Sequence, residues 1–194
     1  MKSNTMSITI SVLGGEKTAI QVLWIATFTA LTAFGAKLEL PHQPVPYTVQ
    51  TFFVLLSGAF LGKRNGMMSQ LLYLAIGAVG APVFSGSGAG FARLLGPTGG
   101  YLLSFPVASF VVGYLVQEYC NLLWVLLSMT VGMFIVFSLG TLHLEFVYVH
   151  DWADAVRNGF LIFSWWDLLK LSGAAVLYHR IRTVRDSKVS QRRG

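Results

Sequence analysis

Long apolar runs recur along this chain, and its polar residues gather in the gaps between them. From Ala19 to Ala36 no charge interrupts the sequence, with Lys17 before it and Lys37 and Glu39 after it. As a helix, a run of that length crosses the roughly 30 Å hydrocarbon core of a bilayer. Pro41, Pro44 and Pro46 then break the backbone, because each lacks an amide donor and restricts its predecessor, and a short second span runs from near Tyr47 to Gly62. Gly62-Lys63-Arg64-Asn65-Gly66 reads as a tight basic turn, and Met67 to Val79 as a third span leading into the glycine-rich stretch Gly77 to Tyr101. A fourth span runs from Tyr101 to about Val116 and a fifth from about Leu122 to Leu142. His143 to Asn158 is a polar and aromatic connection containing Glu145, Asp151 and Asp154, and Gly159 to Tyr178 is a sixth span, interrupted by Asp167 and Lys170. The pattern predicts an all-α integral membrane protein of six transmembrane helices, with a glycine-rich outer loop between helices 3 and 4. It forms one domain over 1–194: a polar cytoplasmic N-terminus (1–17), a six-helix bundle (18–179) and a basic cytoplasmic tail (180–194).

Composition sharpens the class. The chain is 54% hydrophobic and 11% charged, far from the balance of a soluble domain. Six of its fourteen basic residues fall between Arg180 and Arg193, which suits a tail beside anionic lipid; no basic face interleaved with aromatics points to nucleic acid. An even number of spans places both termini on one side, and the positive-inside rule makes that side cytoplasmic, together with Lys63-Arg64. The glycine-rich, proline-rich and acidic connections then face outward across the cytoplasmic (inner) membrane. Cys120 is the sole cysteine, so neither an intrachain disulfide nor a cysteine metal site is expected. The short apolar run Ile8 to Leu13 is not followed by a small-residue cleavage site, so no cleaved signal peptide is expected.

The sharpest chemical signal is Asp167 with Lys170. Ionisable groups inside a span are expensive, and at i and i+3 these two project from one helix face. They read either as a structural pair that neutralises itself or as part of a binding site. A depth of roughly 10 to 17 Å below Gly159, at 1.5 Å per residue, favours a site reached from outside. An acceptor beside a donor matches a small planar group offering N–H and C=O together, such as a ureido or amide. Arg93, the one cation in the glycine-rich stretch, reads either as a clamp for a ligand carboxylate or as an exposed surface arginine. Phe84, Phe91, Tyr101, Trp165 and Trp166 read as pocket walls or as interfacial aromatics. Ala26 and Ala30 form a small-x-x-x-small step on the first helix that admits another helix closely, a pattern common by chance in Ala- and Gly-rich chains.

Enzymatic signatures are missing. The glycine runs lack the Lys-Ser/Thr ending of a phosphate-binding loop, so ATP hydrolysis by this chain is not expected. His143 with Glu145 has the wrong spacing for a zinc helix, no G-x-S-x-G elbow occurs, and Asp151 with Asp154 suits a solvated loop better than a metal site. No cofactor is expected.

Taken together, PVPYTVQT at 44–51, GAVGAPVF at 77–84, GPTGGY at 96–101 and Asp-x-x-Lys at 167–170 resemble the BioY family, the biotin-binding S components of energy-coupling-factor (ECF) transporters. The resemblance runs from the first helix to the sixth. It implies a six-helix S component that captures biotin on the outer side, with Asp167 and Lys170 holding the ureido ring. Arg93, Tyr101, Phe84 and Ser85 complete the expected substrate-binding set. Ala26 and Ala30 become the docking face for a transmembrane coupling protein that carries two ATPase subunits. Trp165-Trp166 stands where that family commonly has Pro-Gly.

Overall fold

The computed structural model describes residues 18–40, 42–86, 90–118, 121–161 and 165–191. The N-terminal residues 1–17, Cys120, the side chain of Trp165 and the end of the tail, each singled out above, lie outside the described residues. In chain order come α1 (Thr18–Lys37), β1 (Glu39–Leu40), β2 (Tyr47–Thr48), α2 (Gln50–Ala78), α3 (Ala92–Leu95), α4 (Gly99–Leu115), α5 (Leu122–Leu144), α6 (Trp152–Ala155) and α7 (Trp165–Gln191). The two short strands pair antiparallel, Glu39 with Thr48 and Leu40 with Tyr47, and bring together the two ends of the segment that carries Pro44 and Pro46; Pro41 lies outside the described residues. The amide of Val49 then donates to Gly35 O (3.1 Å) and Leu38 O (3.2 Å), which ties the start of α2 to the end of α1.

The five-residue basic turn expected after the second span is instead a break at one residue. Gly62 alone leaves helical geometry, at φ 78° and ψ 173°, and helix resumes directly through Lys63 to Gly66. Only glycine enters that region without steric cost, so a single residue reverses the chain. The arms 50–61 and 63–78 run back along each other: Gln50 Nε2 donates to Tyr73 OH, and Gln70 Nε2 donates to Ser57 Oγ (3.0 Å). A second use of glycine sets how closely α2 meets α4. A Cβ on Gly58 would stand 2.2 Å from Ser109 O, and one on Gly113 would stand 2.5 Å from Lys63 N, so backbone touches backbone there.

α2 lies at the centre, packed on α1 and α4; α4 packs on α5, and α7 closes against α5 and α2. Asn121 caps α5 by accepting the Trp124 amide at 2.6 Å. The connection read as polar and aromatic is largely helical: π-turns at 145–149 and 156–160 flank α6. Asp151 is the N-cap of α6, its Oδ1 accepting from Asp154 N at 3.0 Å. Because 156–160 closes into its own turn, α7 starts at Trp165 rather than Gly159. It continues past Tyr178 to Gln191 through Arg, Lys and Gln, with no proline or glycine to stop it. Arg182, buried, ties this extension to the end of α4 by donating to Val116 O (3.1 Å) and Tyr178 OH (3.1 Å).

Among the described residues, Thr18–Lys37 and Leu122–Val149 are long and apolar enough to cross a membrane, and Gly99–Leu115 is apolar but shorter. Large hydrophobic side chains also cover the outside of the bundle, among them Leu23, Phe34, Leu127, Phe134 and Leu169. Helices that are apolar on their outer as well as inner faces suit lipid rather than water.

Candidate ligand-binding site

The site begins where α7 begins. Asp167 is 2% exposed, and its Oδ1 accepts from Lys170 Nζ at 2.6 Å. Lys170 Nζ also donates to Thr48 O (2.9 Å) and Thr51 Oγ1 (3.2 Å). An ammonium has three donors, so all three are engaged: one on the carboxylate, one on β2 and one on the first turn of α2. Lys170 thus fastens α7 to α2 and fixes Asp167 in place. The depth expected from Gly159 changes accordingly. The pair sits in the first turns of α7, and it is buried by the packing of α7 against β2 and α2 rather than by distance along a helix.

A partly open cavity lies beside the pair. The segment before α2 supplies Val45, Pro46, Tyr47 and Thr48; α2 supplies Gln50 and Thr51; α4 and its cap supply Thr98, Tyr101, Leu102 and Phe105; α5 supplies Val136 and Phe137. Ser85 comes from the glycine-rich stretch, and Asp167 and Lys170 complete the wall. This is the usual character of a small-molecule site, an apolar concavity with few polar groups of fixed direction. Pro106 in α4 has no amide for Leu102 O, which interrupts the helix ladder beside the wall.

The BioY family profile matches residues 4–187, nearly the whole chain. The chain belongs to the BioY family. Among similar proteins, the biotin transporter BioY of Thermotoga maritima is 42% identical over 162 residues, 84% of this chain and 95% of that one. The biotin transporter BioY2 of Lactococcus lactis is 36% identical over 147 residues, 75% of this chain and 81% of that one. The crystal structure of the S-component for biotin from an ECF-type ABC transporter superposes with a TM-score of 0.79 at 25% identity, covering 85% of this chain and 92% of that one. BioY relatives are membrane transporter components rather than enzymes, and the apolar helices described above agree with a membrane protein.

In this BioY member the residues singled out from the sequence divide into three groups. Asp167, Lys170, Tyr101 and Ser85 line the cavity. The Tyr101 hydroxyl donates to Gly159 O at 2.9 Å and its ring meets Phe137 edge-on, so it is the ring that faces the ligand space. Phe84 and Arg93 stand behind the wall. Phe84 is fully buried, fills the space left at Gly77 and packs edge-on against Tyr73. Arg93 Nη2 donates to Ser85 O at 2.7 Å. Lys37 Nζ donates to Phe84 O (2.7 Å), and Glu39 Oε2 accepts from Gly86 N (2.9 Å). Three charged side chains from three parts of the fold therefore hold three successive residues, and Ser85 is the middle one. Phe91, 63% exposed, and Trp166, 40% exposed, lie away from the wall. Ala26 and Ala30 are exposed on the outer face of α1.

The sequence reading missed most of the wall. Thr48, Gln50 and Thr51 lie within PVPYTVQT, and Thr98 lies within GPTGGY; both stretches carried the family resemblance, yet none of these four was assigned a role. Leu102, Phe105, Val136 and Phe137 were indistinguishable from other apolar helix positions.

Proposed function

We propose that this protein captures biotin at the outer face of the cytoplasmic membrane and passes it inward as the S component of an ECF-type transporter. The observation that carries the reading is the Asp167–Lys170 pair on the wall of a mainly apolar cavity, in a chain whose similar proteins are biotin transporters. A ureido ring offers two N–H donors and one carbonyl. Asp167, neutralised and oriented by Lys170, accepts from the ring, and Thr51, which accepts from Lys170, keeps its own O–H to give to the carbonyl. The rings and aliphatic wall of Tyr101, Leu102, Phe105, Val136 and Phe137 take the apolar part of the ligand. Arg93 and Phe84 act by holding Ser85 in that wall.

The bundle crosses the membrane six times, with α2 counted as two spans around Gly62 and both termini cytoplasmic; the glycine-rich stretch forms an outer loop. Energy for accumulation comes from a transmembrane coupling protein with two ATPase subunits, docked on the small exposed face at Ala26 and Ala30, and lipid covers the remaining apolar surface. Purification in detergent, followed by mass spectrometry of the co-purifying small molecule, tests the ligand. Biotin supports the reading; another small vitamin moves the protein to a different S-component specificity; a preparation that neither carries nor binds any small molecule contradicts it.

A further inference from the structure

We propose that Glu145, Thr141 and Tyr101 form a site for a small monovalent cation of the sodium kind, behind the wall of the ligand cavity. The site is separate from the Asp167–Lys170 pair and does not depend on the identity of the ligand. Glu145 lies in the apolar span Leu122–Val149 and is 7% exposed. Its Oε2 is buried without a hydrogen-bond partner, and among the described residues no Lys, Arg or His pairs with its carboxylate. A carboxylate inside a span is expensive unless something offsets its charge. Its position adds to that cost, because it stands at the C-terminal end of α5, where the helix dipole is negative.

Thr141 stands one turn before it. The Glu145 amide donates to Thr141 O and Leu142 O, so helical geometry continues and the two side chains leave one face as neighbours. Other helical threonines turn their hydroxyls back to the carbonyl four residues earlier: Thr29 to Ile25 O (2.9 Å), Thr32 to Phe28 O (2.8 Å) and Thr130 to Leu126 O (2.9 Å). Thr141 does not, and its Oγ1 is buried without a hydrogen-bond partner. It faces Gly159, where a Cβ would stand 2.9 Å from Thr141 Oγ1 and 2.8 Å from Tyr101 OH, so a larger residue would fill the space between them. Tyr101 donates its proton to Gly159 O and keeps its own lone pairs for the same spot. Three oxygens, one of them charged, thus come together where α5 meets the 156–160 turn. Oxygen donors suit a hard cation, and a single carboxylate balances one positive charge rather than two, which favours sodium over calcium.

Thermal unfolding of the purified, ligand-free protein in detergent tests this, in sodium chloride and in choline chloride at one ionic strength, so that general screening is constant. Wild type is expected to unfold about 2 to 6 °C higher in sodium, because an ion that binds only the folded state stabilises it. Glu145→Gln is expected to lose this response and to unfold in choline no lower than wild type, since it leaves no buried charge without a counterion. Thr141→Val keeps the charge but removes one oxygen, so it is expected to need several-fold more sodium for the same rise; it also serves should Glu145→Gln not fold. Equal unfolding temperatures of wild type in the two salts overturn the site, and so does a sodium response of undiminished size in either variant. Because no biotin is present, neither outcome bears on the ligand.

Discussion

Two polar regions lie inside this apolar bundle, and they are built to opposite ends. Where α1, both arms of α2 and α4 cross, Gln70 Nε2 reaches Ser57 Oγ, Ser69 Oγ and Thr32 Oγ1, Ser57 Oγ meets Ser109 Oγ at 2.9 Å, and Thr29 Oγ1 donates to Ser69 O at 2.8 Å. All are neutral and buried, and Ser57 and Ser109 sit where glycine lets the chains approach most closely. The second region, at the start of α7, holds a full charge pair and borders a cavity. Small neutral groups bonded to one another hold helices at one crossing. An ion pair beside a mainly apolar cavity is an arrangement for a ligand.

Substitutions separate the two roles. Asp167→Asn keeps the shape but removes the charge and turns an acceptor partly into a donor; it is expected to weaken biotin binding by about 2 to 5 kcal/mol, the range for stranding one partner of a buried charged contact. Titration of the purified variant reads this directly, and normal affinity would make the pair purely structural. Gln70→Leu removes the amide that donates to Ser57, Ser69 and Thr32. Its expected cost is about 1 to 3 kcal/mol of stability, seen as a lower unfolding temperature in detergent, with biotin affinity within a few-fold of wild type. A variant that unfolds normally but loses biotin would erase the distinction between the regions.

Smaller effects sharpen it. Thr51→Val removes one of the three acceptors of Lys170 and the hydroxyl assigned to the ureido carbonyl, for about 1 kcal/mol or roughly a fivefold loss of affinity. A loss as large as that of Asp167→Asn would mean that Thr51, not Asp167, dominates the ring contact. Least of all should the cavity register Ala26→Trp with Ala30→Trp, on the exposed face of α1. Biotin binding to the isolated protein is expected within a few-fold of normal, while co-purification with the coupling module and ATP-dependent uptake are lost. Loss of binding as well would place that face inside the bundle's packing.

How much of this could be read in advance depended on how local the cause was. The charge-free run of α1, the prolines before α2 and the i, i+3 spacing of Asp167 and Lys170 are written in neighbouring residues, and all were legible. The break at Gly62 was not, because a glycine between two basic residues fits a five-residue turn as well as a one-residue reversal; the approach of Gly58 to Ser109 and of Gly113 to Lys63 shows how tightly that reversal is packed. The start of α7 was misplaced because Gly159 is held by a contact 58 residues away, from Tyr101. Likewise nothing local tells that Arg93 turns to Ser85 or that Lys170 reaches Thr48 and Thr51 across most of the chain. The cavity is assembled from such long-range contacts, so motifs located its parts without showing which side chains face inward.

The central claim is that the cavity beside Asp167 and Lys170 holds the ureido ring, and a structure of the purified protein bound to biotin tests it most directly. The ring nitrogens are expected at roughly 2.7 to 3.2 Å from Asp167, with the ring against Tyr101 and Phe137. Biotin seated outside this cavity, or inside it with no polar atom within hydrogen-bond distance of Asp167, would contradict the account.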